Sequence, residues 1–204
     1  MIIALALCVL SIQAFTGIVH EFIIEQDGVT DAEVFAWMHR FQSPFNTKLA
    51  LSMSFLGSAY FLVPAYLVII YIFIRRNKKS DAILIAVLAV VSSVCGWILK
   101  EYFQRSRPSS PLVLHVSGFS FPSGHSLAGF TFYGLMIYLI YKSQLQVAGK
   151  VLLILVSAVL GIMIALSRIY LHVHYASDVL ASFFVTIVWL SLTFICHRLL
   201  KTNL

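Results

Sequence analysis

Apolar residues dominate the chain, and the polar ones fall into a few blocks. Six apolar segments, about 2–19, 48–74, 81–103, 124–142, 147–167 and 175–197, each approach the roughly 20 residues a helix needs to cross a bilayer. In lipid the backbone must satisfy its own hydrogen bonds, so such segments predict helices. The pattern therefore predicts an all-α fold: an integral membrane bundle of six transmembrane helices, with residues 1–204 as a single domain. The second segment is long and carries Pro64, which predicts a kink or tilt, because a proline inside a helix removes an amide donor and crowds the preceding turn. The first segment lacks a positively charged start and an Ala-x-Ala cleavage pattern, so it reads as a retained helix rather than a removed signal.

The connection between the first two segments carries its own pattern. Thr30-Asp-Ala-Glu33 reads as a capping box. It precedes Val34, Phe35, Trp37, Met38 and Phe41, an apolar face at helical spacing. A short interfacial helix is expected within residues 30–43, in the first outer loop and lying in the membrane surface. Two roles stay open for it: closing the bundle, or guiding lipid toward a site.

Composition agrees with the pattern. The chain is 60% hydrophobic and 11% charged, against about 25% charged residues in a soluble domain. Cys8, Cys95 and Cys196 each sit in an apolar run and read as small hydrophobes, not as a disulfide or a metal set. A net charge of +6 in such a chain points to cytoplasmic loops facing anionic lipid, or to a site for an anionic substrate, and not to nucleic acid.

The placement of the charges sharpens this. Residues 75–79 read RRNKK, Lys142 and Lys150 flank a later connection, and Arg198 and Lys201 lie near the end. Lysine and arginine mark cytoplasmic loops, so both termini are expected in the cytoplasm. The 20–47 connection then faces outward, with Glu21, Glu25, Asp27, Asp31 and Glu33 against Arg40. Two other outer connections do not fit so simply: they hold Arg105, Arg107 and Arg168, with Lys100 just before them. Positive charge on that side of a membrane asks for a local cause.

Three polar stretches, all predicted at the outer face, supply one. They are Lys100 to Pro108 at the end of the third span, Pro122-Ser-Gly-His125 at the start of the fourth, and Ser167 to Asp178 between the fifth and sixth. Lys100, Arg107 and Arg168, grouped, would repel one another unless an anion sat among them. Arginine forks match phosphate oxygens, and lysine adds a point charge. Ser123 and Gly124 open a helix whose free amides and positive dipole end favour an anion, and Gly124 lets backbone approach closely. His174 and Asp178 are four apart, so on a helix they share a face. Asp178 can hold one ring nitrogen of His174 as a donor, leaving the other free to attack. His125 can donate a proton to a leaving oxygen. Nucleophile, orienting acid, general acid and anion cradle are the parts that phosphoryl transfer through a phosphohistidine requires.

Plainer readings exist for the single residues. A histidine at a helix end commonly caps it, and Asp178 could simply pair with Arg168. His172 and His174 could suggest a metal pair, but they lack a Glu or Cys partner set, and three cations nearby would repel a metal ion. His172 is the rival nucleophile, without an acid four residues on. His115 reads as a solvated loop residue, and His20 and His39 as structural.

Together the stretches resemble the type 2 phosphatidic acid phosphatase superfamily, whose pattern is K-x6-RP, then PSGH, then SR-x5-H-x3-D. Lys100, Arg107 and Pro108, then Pro122 to His125, then Ser167, Arg168, His174 and Asp178 match every position in order. The resemblance implies a metal-independent phosphatase without cofactor, His174 as nucleophile, His125 as general acid, and Lys100, Arg107, Ser123, Gly124 and Arg168 as phosphate ligands. It further implies a lipid phosphate substrate, undecaprenyl diphosphate and/or phosphatidylglycerophosphate, with phosphatidic acid or broad specificity as the alternative. The site would be extracytoplasmic in the cell membrane. Substrate and membrane lipids are the expected partners, with no nucleic acid and no obligate protein partner. The competing class is a non-catalytic lipid or anion transporter that uses the cradle only to bind.

Overall fold

The computed structural model describes residues 1–113 and 116–202, with side chains as far as Cys196. His115, and the side chains of Arg198 and Lys201, lie outside the described residues. Helices follow one another as α1 (Ile2–Val19), a π-helical turn (His20–Ile24), α2 (Val29–His39), α3 (Pro44–Leu56), α4 (Ala59–Arg75), α5 (Lys79–Phe103), α6 (Gly124–Lys142), α7 (Val147–Tyr170) and α8 (Ala176–Thr202). Among the described residues there is no strand.

Among the described residues, four stretches are long and apolar enough to cross a membrane: Ile2–Ile24, Lys79–Phe103, Val147–Tyr170 and Ala176–Cys196. The pair α3 and α4 makes a fifth if counted as one bent span. Their outward faces carry large exposed apolar side chains such as Leu10, Val63, Val90, Leu152 and Val159, as lipid contact requires.

The long second segment is broken, but not at its proline. Pro64 lies inside α4, whereas α3 and α4 meet at 41° across Gly57 and Ser58. Its neighbours approach closely there. A Cβ on Gly57 would stand 2.5 Å from Ile164 Cγ2 and 3.2 Å from the His125 carbonyl oxygen. The chain can therefore pass α6 and α7 here only as glycine.

α2 overlaps the expected segment but starts one residue before it. Thr30 is within the helix and does not cap it. Gly28 is the N-cap, and the Val29 amide donates to Asp27 Oδ1 at 2.9 Å. The expected box fails because the helix begins at Val29, so Thr30 lies one residue inside it; Asp31 turns toward the protein and is buried.

α6 is central, packing against α5, α7 and α8. Lipid tails solvate apolar surface as well as leucine does, so packing and interhelical hydrogen bonds, about 0.6 kcal/mol each on average, hold such helices together. Small polar residues on α6 and its neighbours supply them: Ser92 Oγ meets Thr131 Oγ1 at 3.0 Å, and Ser182 Oγ donates to the Ser123 carbonyl at 3.0 Å. One apolar cluster joins α4, α5, α6 and α7 through Leu62, Tyr66, Ile85, Leu88, Leu135 and Ile164. A second, with Met38, Ala50, Ile169, Leu171, Val173 and Val179, ties α2 and α3 to the α7–α8 turn.

The connections with Arg75, Arg76, Lys78, Lys142 and Lys150 lie at one end of the bundle. The last turns of α5 and α7 and the first turns of α6 and α8 gather at the other.

Candidate active site

The first stretch is held by its own backbone. α5 ends at Gln104, whose left-handed conformation (φ 47°) turns the chain back over the bundle. The returning segment is stitched down: the Ser120 amide donates to the Arg105 carbonyl at 2.8 Å, and the Leu112 amide to the Leu171 carbonyl at 3.0 Å. Lys100 Nζ donates to the Phe119 carbonyl at 2.6 Å. Arg107 is clamped by backbone oxygens, Nε to Gly118 at 2.9 Å, Nη2 to Ser117 at 3.1 Å and Nη1 to Val173 at 2.8 Å. These bonds hold the guanidinium against the His174 ring, with Nη1 3.2 Å from Nε2.

The second stretch opens α6. Ser123 is the N-cap, fully buried, and its Oγ accepts from the Ser126 amide. Its own amide donates to the Asp178 carbonyl at 3.3 Å, which fixes the start of α6 against the start of α8. Gly124 and His125 therefore carry the first-turn amides of α6. A Cβ on Gly124 would lie 3.7 Å from Lys100 Cε, so the two motifs are neighbours.

The third stretch spans the α7–α8 turn. Arg168, on the last turn of α7, is buried and donates through Nη1 to Ser54 Oγ on α3. Its Nε is buried without an acceptor among the described residues. His174 is buried, with Nδ1 3.4 Å from Asp178 Oδ2. Burial holds the His174 imidazole down to about 4, from an ordinary 6.5; the Asp178 contact opposes this shift, and Lys100 and Arg107 add to it. Its neutral ring then keeps a hydrogen on Nδ1 for Asp178 and a lone pair on Nε2. His125 lies within electrostatic reach of Arg168, His174, Arg107 and Lys100.

All eight residues singled out from the sequence thus gather at one end of the bundle. The rival His172 points elsewhere: its ring stacks 4.7 Å from Phe35, and its Nε2 has no partner among the described residues. Asp178 does not pair with Arg168.

Asp178 pairs with Arg105, which the sequence reading left among unexplained loop charges. Arg105 Nη1 donates to Asp178 Oδ1 at 2.6 Å and to Ser177 Oγ at 2.7 Å, and Nη2 donates to Asp31 Oδ2 at 2.9 Å. Arg105 is therefore neutralised locally, whereas Lys100, Arg107 and Arg168 form no ion pair with a carboxylate among the described residues. A signal for Asp31 existed in the sequence. It stands at i relative to Val34, Phe35 and Met38, at i+3, i+4 and i+7, which puts a carboxylate on the buried face of α2.

Beside the cations lies an apolar groove of about 690 Å³ between α4 and α5. Leu62, Tyr66, Ala89 and Val90 line its length, and Gly124 and His125 stand at its head.

Residues 80–201 match the PAP2 superfamily. The chain belongs to that superfamily. It is similar to phosphatidylglycerophosphatase B of Bacillus subtilis, 29% identical over 143 residues covering 70% of each chain. It is also similar to dolichyldiphosphatase 1 of Dictyostelium discoideum, 28% identical over 59% of this chain and 53% of that one. Its fold matches the transmembrane PAP2-type phosphatidylglycerolphosphate phosphatase from Bacillus subtilis, with TM-score 0.82, 24% identity and 97% of both chains covered. The Aquifex aeolicus LpxE structure matches at TM-score 0.64 and 23% identity, over 83% of this chain and 97% of that one.

As a PAP2 member the chain is a phosphatase with a multi-pass membrane fold. The PAP2 match, residues 80–201, contains all eight predicted site residues. Asp31, Ser54 and the α4 wall of the groove come from the part of the chain before it.

Proposed function

We propose that the chain is a lipid phosphate phosphatase working through a phosphohistidine. Two features that meet at His125 carry this reading: the cationic cluster on one side and the apolar groove on the other. A molecule with a phosphate head and a long apolar tail matches both. Undecaprenyl diphosphate and phosphatidylglycerophosphate are the leading substrates, with phosphatidic acid next; similarity to phosphatidylglycerophosphatase B and to a dolichyldiphosphatase supports both a monoester and a diphosphate.

In this reading Lys100, Arg107, Arg168 and the amides at the start of α6 hold the phosphate oxygens, with Ser123 and Gly124 shaping that start. The unpartnered Nε of Arg168 finds its acceptor there. His174 Nε2 attacks phosphorus, and the bond to the leaving oxygen breaks as His125 gives that oxygen a proton. Water then attacks the phosphohistidine, His125 takes a proton from it, and phosphate leaves. The fixed cations stabilise the transferring group, an effect worth about 10²–10³ in rate per donor in comparable sites.

Six spans follow if α1 with its π-helical turn, the α3–α4 pair, α5, α6, α7 and α8 each cross, as a single unit over residues 1–204. With the lysine- and arginine-rich connections cytoplasmic, the site opens outward and both termini lie inside. Trp37 and Phe41, exposed and stacked edge to face at 4.9 Å, suit α2 to the membrane surface.

Purified protein in detergent with a chelator, assayed on the three lipids side by side, tests this reading. Phosphate release is expected, abolished in His174→Gln. His125→Asn should be slowed least for substrates whose leaving group needs no proton. No release from any lipid phosphate by folded protein would end it.

A further inference from the structure

Asp178 can fix His174 only if Asp178 is itself fixed. We propose that Arg105, shared between Asp178 and Asp31, is a positioning residue for the His174–Asp178 pair, and that α2 enters the active site through Asp31; this rests on the reading of His174 as nucleophile.

The geometry is that of a built clamp. Every contact to the Asp178 carboxylate comes from a donor: Arg105 Nη1 to Oδ1 at 2.6 Å, the Tyr175 amide to Oδ2 at 3.0 Å, and His174 Nδ1 at 3.4 Å from Oδ2. Arg105 takes Oδ1 and so leaves Oδ2 facing the ring. Arg105 is held in turn from two sides. Its guanidinium lies 4.1 Å from the Tyr175 ring centroid, and Asp31 Oδ2 accepts from Nη2. Asp31 also binds the residue before Asp178: Oδ1 accepts from the Ser177 amide at 3.0 Å and Oδ2 from the Ser177 hydroxyl at 2.6 Å. Both carboxylates are buried, Asp178 at 0% and Asp31 at 2% exposure, so neither can turn to water. Removing the guanidinium would leave two buried negative charges together, a costly arrangement. Burying this network costs desolvation that an apolar packing of α2 would avoid, which argues for a role beyond anchorage.

The clamp predicts signs. The groups that bear on His174 are Asp178 from α8, Lys100 from α5, Arg107 from the returning segment and His125 from α6. Asp31 from α2 and the Tyr175 ring face Arg105. Without Arg105, Asp178 acts on the imidazolium at full strength, so His174 should hold its proton to higher pH. Without the Asp31 charge, Arg105 screens Asp178 more completely, and the shift should reverse.

The test is His174 titration by NMR in detergent-solubilised full-length protein labelled at histidine, with the resonance assigned by its loss in His174→Gln. The acid limb of kcat/KM is measured in parallel. Arg105→Gln is expected to raise the titration by about one pH unit and to lower kcat at least about tenfold with little change in KM. Arg105→Lys should return the titration to its native position while kcat stays low, because an ammonium cannot bridge two carboxylates as a fork does. Asp31→Asn, which keeps the size of the side chain, should shift the titration downward. A folded Arg105→Gln protein with unmoved titration, whatever its activity, would reduce Arg105 to a structural tie and overturn the proposal. If Arg105→Gln does not yield a monodisperse protein, Asp31→Asn decides, and an unmoved titration there overturns it equally. Wild-type protein that releases no phosphate while its titration responds as described would sink the phosphatase reading and leave the clamp standing.

Discussion

Arg107 Nη1 stands 3.2 Å from His174 Nε2, so the nitrogen that would attack phosphorus already faces a donor fixed by three backbone carbonyls. The Arg107 guanidinium and the His174 ring are thus tied to one another and to the same backbone. In the proposed mechanism a phosphate oxygen bridges the two. Arg107→Lys keeps the charge but loses the fork, and is expected to lower phosphate release by about 10²-fold with little loss of stability. Phosphate release and thermal melting on the same preparation check this. Near-native turnover would remove Arg107 from the transition state.

The pH dependence follows from burial. In the proposed mechanism His174 must be neutral to attack, and its pKa is held down to about 4, first by burial. The His174 limb is therefore expected as pH falls through about 4, whereas an exposed histidine would give it near 6.5. A kcat/KM profile on a single lipid phosphate between pH 3 and about 8 gives the limb directly. A limb near the ordinary histidine value would mean that the ring is solvated in the working enzyme.

Gly124 separates folding from binding. A methyl there meets Lys100 Cε at 3.7 Å, an ordinary contact, so the protein alone accommodates alanine. Near a helix start alanine is favoured over glycine by up to about 1 kcal/mol. Gly124→Ala is expected to melt at or above the native temperature while phosphate release falls at least about tenfold, because the methyl occupies the approach to the first-turn amides. Native activity in a stable Gly124→Ala protein would show that phosphate does not come that close.

The groove predicts a split between substrates. Val90 lines it and is largely exposed, so a larger side chain costs the fold little. Val90→Trp should raise KM for long-chain lipid phosphates about five- to tenfold, the equivalent of roughly one to two buried methylenes. Hydrolysis of a water-soluble aryl phosphate should be unchanged. Equal effects on both substrates would place the tail elsewhere.

The parts of this protein that read directly from sequence are those governed by local rules. Apolar runs near the spanning length located the long helices of the chain. The spacing of His174 and Asp178 predicted one face, and the positions of Lys100, His125 and Arg168 at the ends of alternating helices, with Arg107 in the connection after α5, predicted that they meet. The segment bends, as Pro64 suggested, but at Gly57 and Ser58, where the glycine faces Ile164 and the His125 carbonyl, over 60 residues away. The Thr30 cap failed because the helix starts one residue earlier, at Val29.

Sequence by itself determined an all-helical membrane protein with three polar motifs at the ends of its helices, since periodicity, charge and spacing act within one helix or one loop. Tertiary structure alone decided which carboxylate meets which cation. Asp31 and Arg105 are 74 residues apart, and Asp31 and Ser177 are 146 apart. No local pattern specifies such a pairing; it exists because packing α2 against α7 and α8 brings a buried carboxylate onto Arg105.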